Sequence, residues 1–294
     1  MLLHLSRTLC ALFIMLFSTA LFAAEKHYTV TAPDGVRIAV QESGNPEGLP
    51  IIFIHGLLGS HLNWEKQLND PQLQRYRLIT YDLRGHGLSD KPQQAVAYSD
   101  GKRWADDLKA VIDQRHARNP LLVGWSLGGA VMTNYLAAFG DHQVSGAIYV
   151  DGVVELTPTL IPAHDNVYRD MISADLKTHL DGQRAFLRLC FYQQPDSETF
   201  ERLLANAAMA SWSMQRAVMS MKIPLAQGLK HVRVPLLFIY GEHDALINPA
   251  ASLKRAKQVN PAIQTRIYSH SGHAPFIEES TRFNRDVAAF AAAL

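Results

Sequence analysis

A chain of 294 residues, 48% apolar or aromatic and 19% charged, can bury a sizeable core and has the balance of an ordinary globular protein. Its formal net charge of +1 arises from well-mixed acidic and basic residues, which argues against nucleic acid as a partner. Cys190 is the one cysteine outside the first 24 residues, so no intramolecular disulfide is expected and a buried structural thiol is its ordinary reading.

Residues 1–24 come first in chain order. Arg7 precedes an uncharged apolar stretch from Thr8 to Ala24, closed by the small residues Ala23 and Ala24, before Glu25, Lys26 and His27 restore polarity. That order predicts a secretory signal peptide and an exported protein, periplasmic or secreted; the alternative is an uncleaved N-terminal membrane anchor. Tyr28 to Gln41, turned at Pro33-Asp34-Gly35, reads as an opening hairpin. Short apolar strands follow at Pro50–His55, Arg77–Asp82, Leu121–Trp125, Val144–Asp151, Pro235–Tyr240 and Ile263–Ser269. Several are nearly continuous apolar runs, as in a parallel sheet covered on both faces.

Helical patterns lie between the strands. Lys102–Ala117 spaces Trp104, Leu108, Val111 and Ile112 along one face, Leu127–Phe139 follows a strand directly, and Ala274–Leu294 closes the chain. Lys254, Arg255 and Lys257 read as the solvated face of a further helix. The alternation implies an α/β layer architecture with right-handed crossovers. The interval 152–232 breaks the rhythm: it has helical stretches, notably Leu176–Phe191 and Ser197–Met221, and no clear strand. It also holds Met171, Met209, Met214, Met219 and Met221, with Phe186, Tyr192 and Trp212. We read it as a helical lid inserted into a core made of residues 25–151 and 233–294, with most of these side chains packing the insertion itself.

Ligands bind at the carboxyl ends of strands in such sheets. There the chain places His55-Gly56-Leu57, Asp82-Leu83-Arg84-Gly85-His86, Gly124-Trp125-Ser126-Leu127-Gly128, Asp244 and His273, all on one sheet edge. A serine between two glycines at a strand-to-helix turn is an exposed nucleophile above a helix N-terminus. Its hydroxyl needs a base, and among thirteen histidines His273 follows the last strand. Asp244, following the preceding strand, can fix the imidazole tautomer; Asp151, which ends a strand, is the rival acid. Leu57 and Leu127 backbone N–H groups are the expected oxyanion donors. His55 reads as a loop organiser, and Asp82, Arg84 and His86 as a structural turn. His243 and His270 match no metal motif, and no metal site is expected.

Taken together, HGLLGS (His55–Ser60), YDLRGHGLSDKP (Tyr81–Pro92), GWSLGG (Gly124–Gly129), GEHD (Gly241–Asp244) and SGHAPFIEE (Ser271–Glu279) resemble the α/β-hydrolase superfamily, near its serine esterases and cofactor-free haloperoxidases. The resemblance implies an eight-stranded, mostly parallel sheet with helices on both faces, a helical cap, and a Ser–His–Asp triad that needs no cofactor. Similar dehalogenases and epoxide hydrolases carry Asp where this chain has Ser126, and the haloperoxidase-like oxyanion loop usually carries a proline near Leu58, absent here. The expected activity is hydrolysis of a carboxylic ester of a small to medium apolar substrate through an acyl-enzyme. Perhydrolysis, lactone, thioester or C–C hydrolysis would use the same groups. From a different class, a ligand-binding receptor could retain the scaffold.

Overall fold

The computed structural model describes residues 25–294, so the expected leader lies outside the described residues. The strands appear in the expected order, with shifts only at their ends: β1 (Lys26–Thr31), β2 (Arg37–Gly44), β3 (Pro50–Ile54), β4 (Arg77–Tyr81), β5 (Leu121–Trp125), β6 (Gly146–Val150), β7 (Leu236–Gly241) and β8 (Gln264–Tyr268). They form one sheet in the order β1-β2-β4-β3-β5-β6-β7-β8. Pairing is antiparallel from β1 to β2 and from β2 to β4, and parallel elsewhere. Strands β3, β5, β6 and β7 are buried along their whole length, which accounts for their unbroken apolar sequences.

The helices are α1 (Glu65–Leu68), α2 (Val96–Ser99), α3 (Gly101–Gln114), α4 (Leu127–Phe139), α5 (Asp165–Met171), α6 (Leu176–Leu189), α7 (Ser197–Ala208), α8 (Trp212–Ala217), α9 (Leu225–Leu229), α10 (Pro249–Val259), α11 (Pro275–Glu278) and α12 (Ser280–Ala292). Helix α3 starts where the Asp100 side chain accepts the Lys102 N–H, and it buries Trp104, Leu108, Val111 and Ile112. Helices α3, α4, α9 and α10 pack one on the next, while α1, α11 and α12 form a separate group. Full burial of the central strands requires both groups, one on each face. No helix of the described residues is long and apolar enough to cross a membrane.

Two expected helices are interrupted by tertiary contacts. Ala274–Leu294 splits at Glu279 (φ −115°, ψ 46°), whose carboxylate accepts the His270 N–H at 3.0 Å and the Ser271 hydroxyl at 2.9 Å. Ser197–Met221 splits because Ser211 N–H donates to Gly85 O at 2.7 Å, and its hydroxyl then caps a new helix by accepting Met214 N–H at 3.3 Å. Between β6 and β7 the chain holds α5 to α9 and no strand.

Strand β3 has β4 on one side and β5 on the other, so successive crossovers leave it in opposite directions. Such a reversal opens a crevice at the carboxyl ends of β3 and β5. The loops leaving those two strands begin at His55 and Ser126.

Candidate active site

Ser126 turns the chain between β5 and α4 at φ 53°, ψ −114°. This backbone conformation is costly for a residue with a Cβ and needs outside support. Support comes from three hydrogen bonds: Ser126 N–H donates to Val150 O at 3.0 Å, while Ser126 O accepts from Gly129 N at 2.9 Å and Val153 N at 3.0 Å. The flanking glycines let the backbones close up. A Cβ on Gly124 would lie 2.7 Å from Gly128 O, and one on Gly128 2.4 Å from Ile54 O. Ser126 itself is 7% exposed, at the wall of a pocket.

The turn after β8 carries His273 to the same pocket. Trp125 Nε1 donates to His273 O at 2.6 Å, which ties that turn to the strand bearing Ser126. His273 Nδ1 lies 2.8 Å from Asp244 Oδ2, both side chains being almost wholly buried. Asp244 is itself oriented, because its Oδ1 accepts the N–H groups of Leu246 at 2.8 Å and Ile247 at 3.1 Å. An ionised carboxylate can only accept, so the imidazole proton sits on Nδ1 and Nε2 keeps a lone pair.

Asp151, the rival acid, is fully buried at the end of β6 with φ 42°. Its Oδ1 accepts Gly241 N–H at 2.9 Å, so it holds the start of the turn bearing Asp244, while the histidine's own carboxylate contact is to Asp244. Burial first, and Asp244 second, push the Asp151 carboxyl well above the usual carboxylate range. One ligand atom from each of Asp151, Asp244 and His273 lies within 4.8 Å of the others, the one grouping with metal-site spacing among the described residues. His243 stays apart, stacked on Tyr192 at 3.8 Å, as does His270, whose N–H donates to Glu279.

Both expected oxyanion donors line the pocket with Ser126 and His273. Leu127 is the first residue of α4, where a backbone N–H has no intrahelical acceptor. Neither its N–H nor that of Leu57 donates to another group among the described residues. Gly56 permits the Leu57 loop to approach, since a Cβ there would sit 2.9 Å from Ser126 Cβ.

The motif around Asp82 supports this loop from below and does not reach the pocket. Asp82 accepts from His61 N, His61 Nδ1 and Leu88 N at 2.7 to 2.8 Å. Arg84, with no exposed surface, grips Asp107 through two 2.7 Å bonds and also reaches Asp34. His55 Nε2 accepts Leu83 N–H at 2.9 Å, and His86 Nε2 accepts Leu58 N–H at 3.3 Å. Desolvation drives the two imidazoles down to about 4 and about 3, so both are neutral acceptors. His86 thus holds the residue after Leu57, at φ 61°. Reading Asp82, Arg84 and His86 simply as a turn misses this link, which no local sequence signal reveals.

Glu278 is a second residue that sequence reasoning passed over. Its Oε1 accepts Tyr192 N–H and Gln193 N–H, both at 2.9 Å, and its Oε2 accepts Gly272 N–H at 2.8 Å. It therefore ties the segment after α6 to the residue preceding His273. Burial raises its pKa above the ordinary glutamate value.

The pocket holds about 550 Å3 of space, counting its mouth. The segment between β6 and β7 supplies Val153, Leu156, Ile161, Tyr168, Phe186, Val218, Met219, Met221 and Ile223 to its wall, and Leu246 and Ile247 close it from the turn after β7. Of the five methionines of the insertion, Met219 and Met221 line it; Met171 and Met214 are buried elsewhere and Met209 is exposed. Cys190 is buried, as expected. Lys254 and Lys257 are exposed as expected, and Arg255 beside them pairs with Glu155 at 2.7 Å while staying partly solvated.

A sheet of this order, with a strained serine turn at its switch point and an Asp–His pair beyond it, has the architecture of an α/β-hydrolase. The chain belongs to that family: the family model for the alpha/beta hydrolase fold matches residues 50–280. A crystal structure from Burkholderia cenocepacia, assigned as an aryl esterase, is 65% identical with a TM-score of 0.91, covering 92% of this chain and all of that one. An esterase from Rhodococcus sp. ECU1013 is 27% identical with a TM-score of 0.82, covering 91% and 99% of the two chains. The bifunctional esterase/perhydrolase of Acinetobacter calcoaceticus is 25% identical, covering 89% of this chain and 98% of that protein.

Proposed function

We propose that the protein hydrolyses uncharged carboxylic esters, with Ser126 as nucleophile, His273 as general base and then acid, and Asp244 holding the imidazole. The observation that carries this reading is the convergence of Ser126, the Asp244–His273 pair and two free backbone N–H groups on one apolar pocket. His273 Nε2 takes the Ser126 proton as Oγ attacks the ester carbonyl; the imidazolium then returns that proton to the leaving alcohol. Leu57 and Leu127 N–H stabilise the oxyanion of each tetrahedral intermediate. Water, activated by His273, releases the acid and restores Ser126.

The wall favours neutral substrates. Among the described residues its only polar side chains are Ser126, Tyr168 and His273, none of them a fixed charge, so a charged acyl or alcohol group would be desolvated without an ionic partner. The esterase relatives support the same reading. The relative that is both esterase and perhydrolase supports a second outcome, in which hydrogen peroxide resolves the acyl-enzyme to a peracid. Hydrolysis of a nitrophenyl ester series, with and without peroxide, tests both. Turnover that survives in Ser126→Ala would refute the mechanism, and peracid formation exceeding hydrolysis would favour the second outcome.

The segment 152–232 is proposed as the lid that selects the acyl group, since it supplies most of the pocket wall. The basic start, apolar stretch and Ala23-Ala24 of the leader support export. An exported protein that keeps its full precursor mass would instead indicate a retained anchor.

A further inference from the structure

We propose that Asp151 is a neutral carboxylic acid that donates a hydrogen bond to Asp244, so that the two buried carboxyl groups present one shared negative charge to His273. This makes Asp151 a positioning residue acting through Asp244, and it rests on the triad reading above.

Asp151 Oδ1 is engaged by Gly241 N–H, while Oδ2 is buried with no hydrogen-bond donor. The Asp151 carboxyl has another carboxylate as a close neighbour, because one ligand atom from each of Asp151, Asp244 and His273 falls within 4.8 Å of the others. Two carboxylates can bond to each other only if one carries a proton. Asp244 already accepts three hydrogen bonds, from Leu246, Ile247 and His273, whereas Asp151 accepts one. The proton therefore belongs on Asp151. No Lys or Arg pairs with either carboxylate among the described residues, so two full charges would face each other without compensation.

The surrounding titratable groups act in the same direction. Glu278 of α11 is acidic and disfavours a charge on Asp151, while Cys190 and Tyr240, held un-ionised by burial, supply no compensating charge. His273 is the single basic group in the cluster, and it is engaged by Asp244. The consequence is chemical. When His273 becomes an imidazolium, a doubly charged acid pair would hold that proton too tightly for efficient return to the leaving group. One shared charge still orients the ring and leaves the proton transferable. A divalent cation could replace the shared proton, and that alternative is testable.

Infrared difference spectra of wild type against Asp151→Asn at neutral pH test the proton directly. The expected result is a protonated carboxylic-acid C=O band that the variant lacks; its absence from the wild type would overturn the proposal. The same band is expected in a Ser126→Ala background, so a wrong nucleophile and a wrong proton assignment give different results. Asparagine can donate to Asp244 and accept from Gly241 as the acid does, so the acidic limb of kcat/KM should keep its position in Asp151→Asn. A downward shift of about one pH unit or more would mean that a charge had been removed, which contradicts the proposal. Asp151→Leu, lacking the donor, should lose about tenfold or more in kcat relative to Asp151→Asn; equal rates would count against it. Should Asp151→Leu not fold, the infrared band and the asparagine profile decide. Stoichiometric divalent metal in the purified protein, with activity lost on chelation, would replace this proposal with a metal site.

Discussion

The two sides of the pocket are held by different forces. On the sheet side each group is fixed by directed bonds: Asp244 by two backbone amides, His273 through Asp244 and Trp125, the Leu57 loop through His86 and Leu58. On the other side, Val153, Ile161, Phe186, Met219 and Met221 form a wall with no polar side chain among them, and Met219 is 44% exposed. Directed bonds fix geometry, whereas dispersion contacts between flexible side chains tolerate repacking. The sheet side is thus suited to holding reacting atoms, and the insertion to accepting a range of apolar groups. Glu278 joins the two sides by binding amides from both.

Substitutions on the two sides should therefore fail differently. Ser126→Ala should lower kcat for a nitrophenyl ester by at least about 10^4-fold with KM little changed; a loss confined to KM would break the comparison. Asp244→Asn should cost about 10^4-fold in kcat, because the amide can favour the wrong imidazole tautomer, and pre-steady-state acylation rates would measure it. On the opposite wall, Met221→Ala should alter the preference between short and long acyl chains by about tenfold while leaving kcat for the best substrate largely intact. An equal loss across the acyl series would show that the insertion also positions the chemistry.

Smaller effects concern the support beneath the Leu57 loop. His86→Leu leaves the Leu58 N–H without its acceptor and should cost about 2 kcal/mol of stability, measured by urea denaturation. It should also lower kcat more than it raises KM. The pH dependence has a defined sign. His55 and His86 are pushed from 6.5 to about 4 and about 3 in the folded protein, so the unfolded chain binds protons first. Their contribution is complete above about pH 6.5 and is lost as pH falls toward those values. The urea midpoint should decline over that window, less steeply in His86→Leu.

The sheet side was largely legible in the sequence because its constraints are local. An elbow needs glycines at Gly124 and Gly128, and strand ends collect Ser126, Asp244 and His273 on one edge whatever the loops between them do. The choice between Asp244 and Asp151 was not local. Both follow buried strands, and only the tertiary path of the turn after β7 brings Asp244 to Nδ1 while Gly241 turns back to Asp151. The roles of His86 and Glu278 escaped for the same reason, since each bonds backbone groups distant in sequence. On the insertion, methionine spacing could not separate Met219 and Met221, which face the pocket, from Met171 and Met214, which do not. Breaks such as Ser211 depend on contacts with Gly85, outside the segment.

The central claim, that Ser126 is the activated nucleophile of this site, is tested most directly by reacting the protein with a fluorophosphonate and locating the adduct by mass spectrometry. The account predicts a single adduct on Ser126, formed far more slowly in Asp244→Asn. An adduct on any other residue, or none, would contradict it.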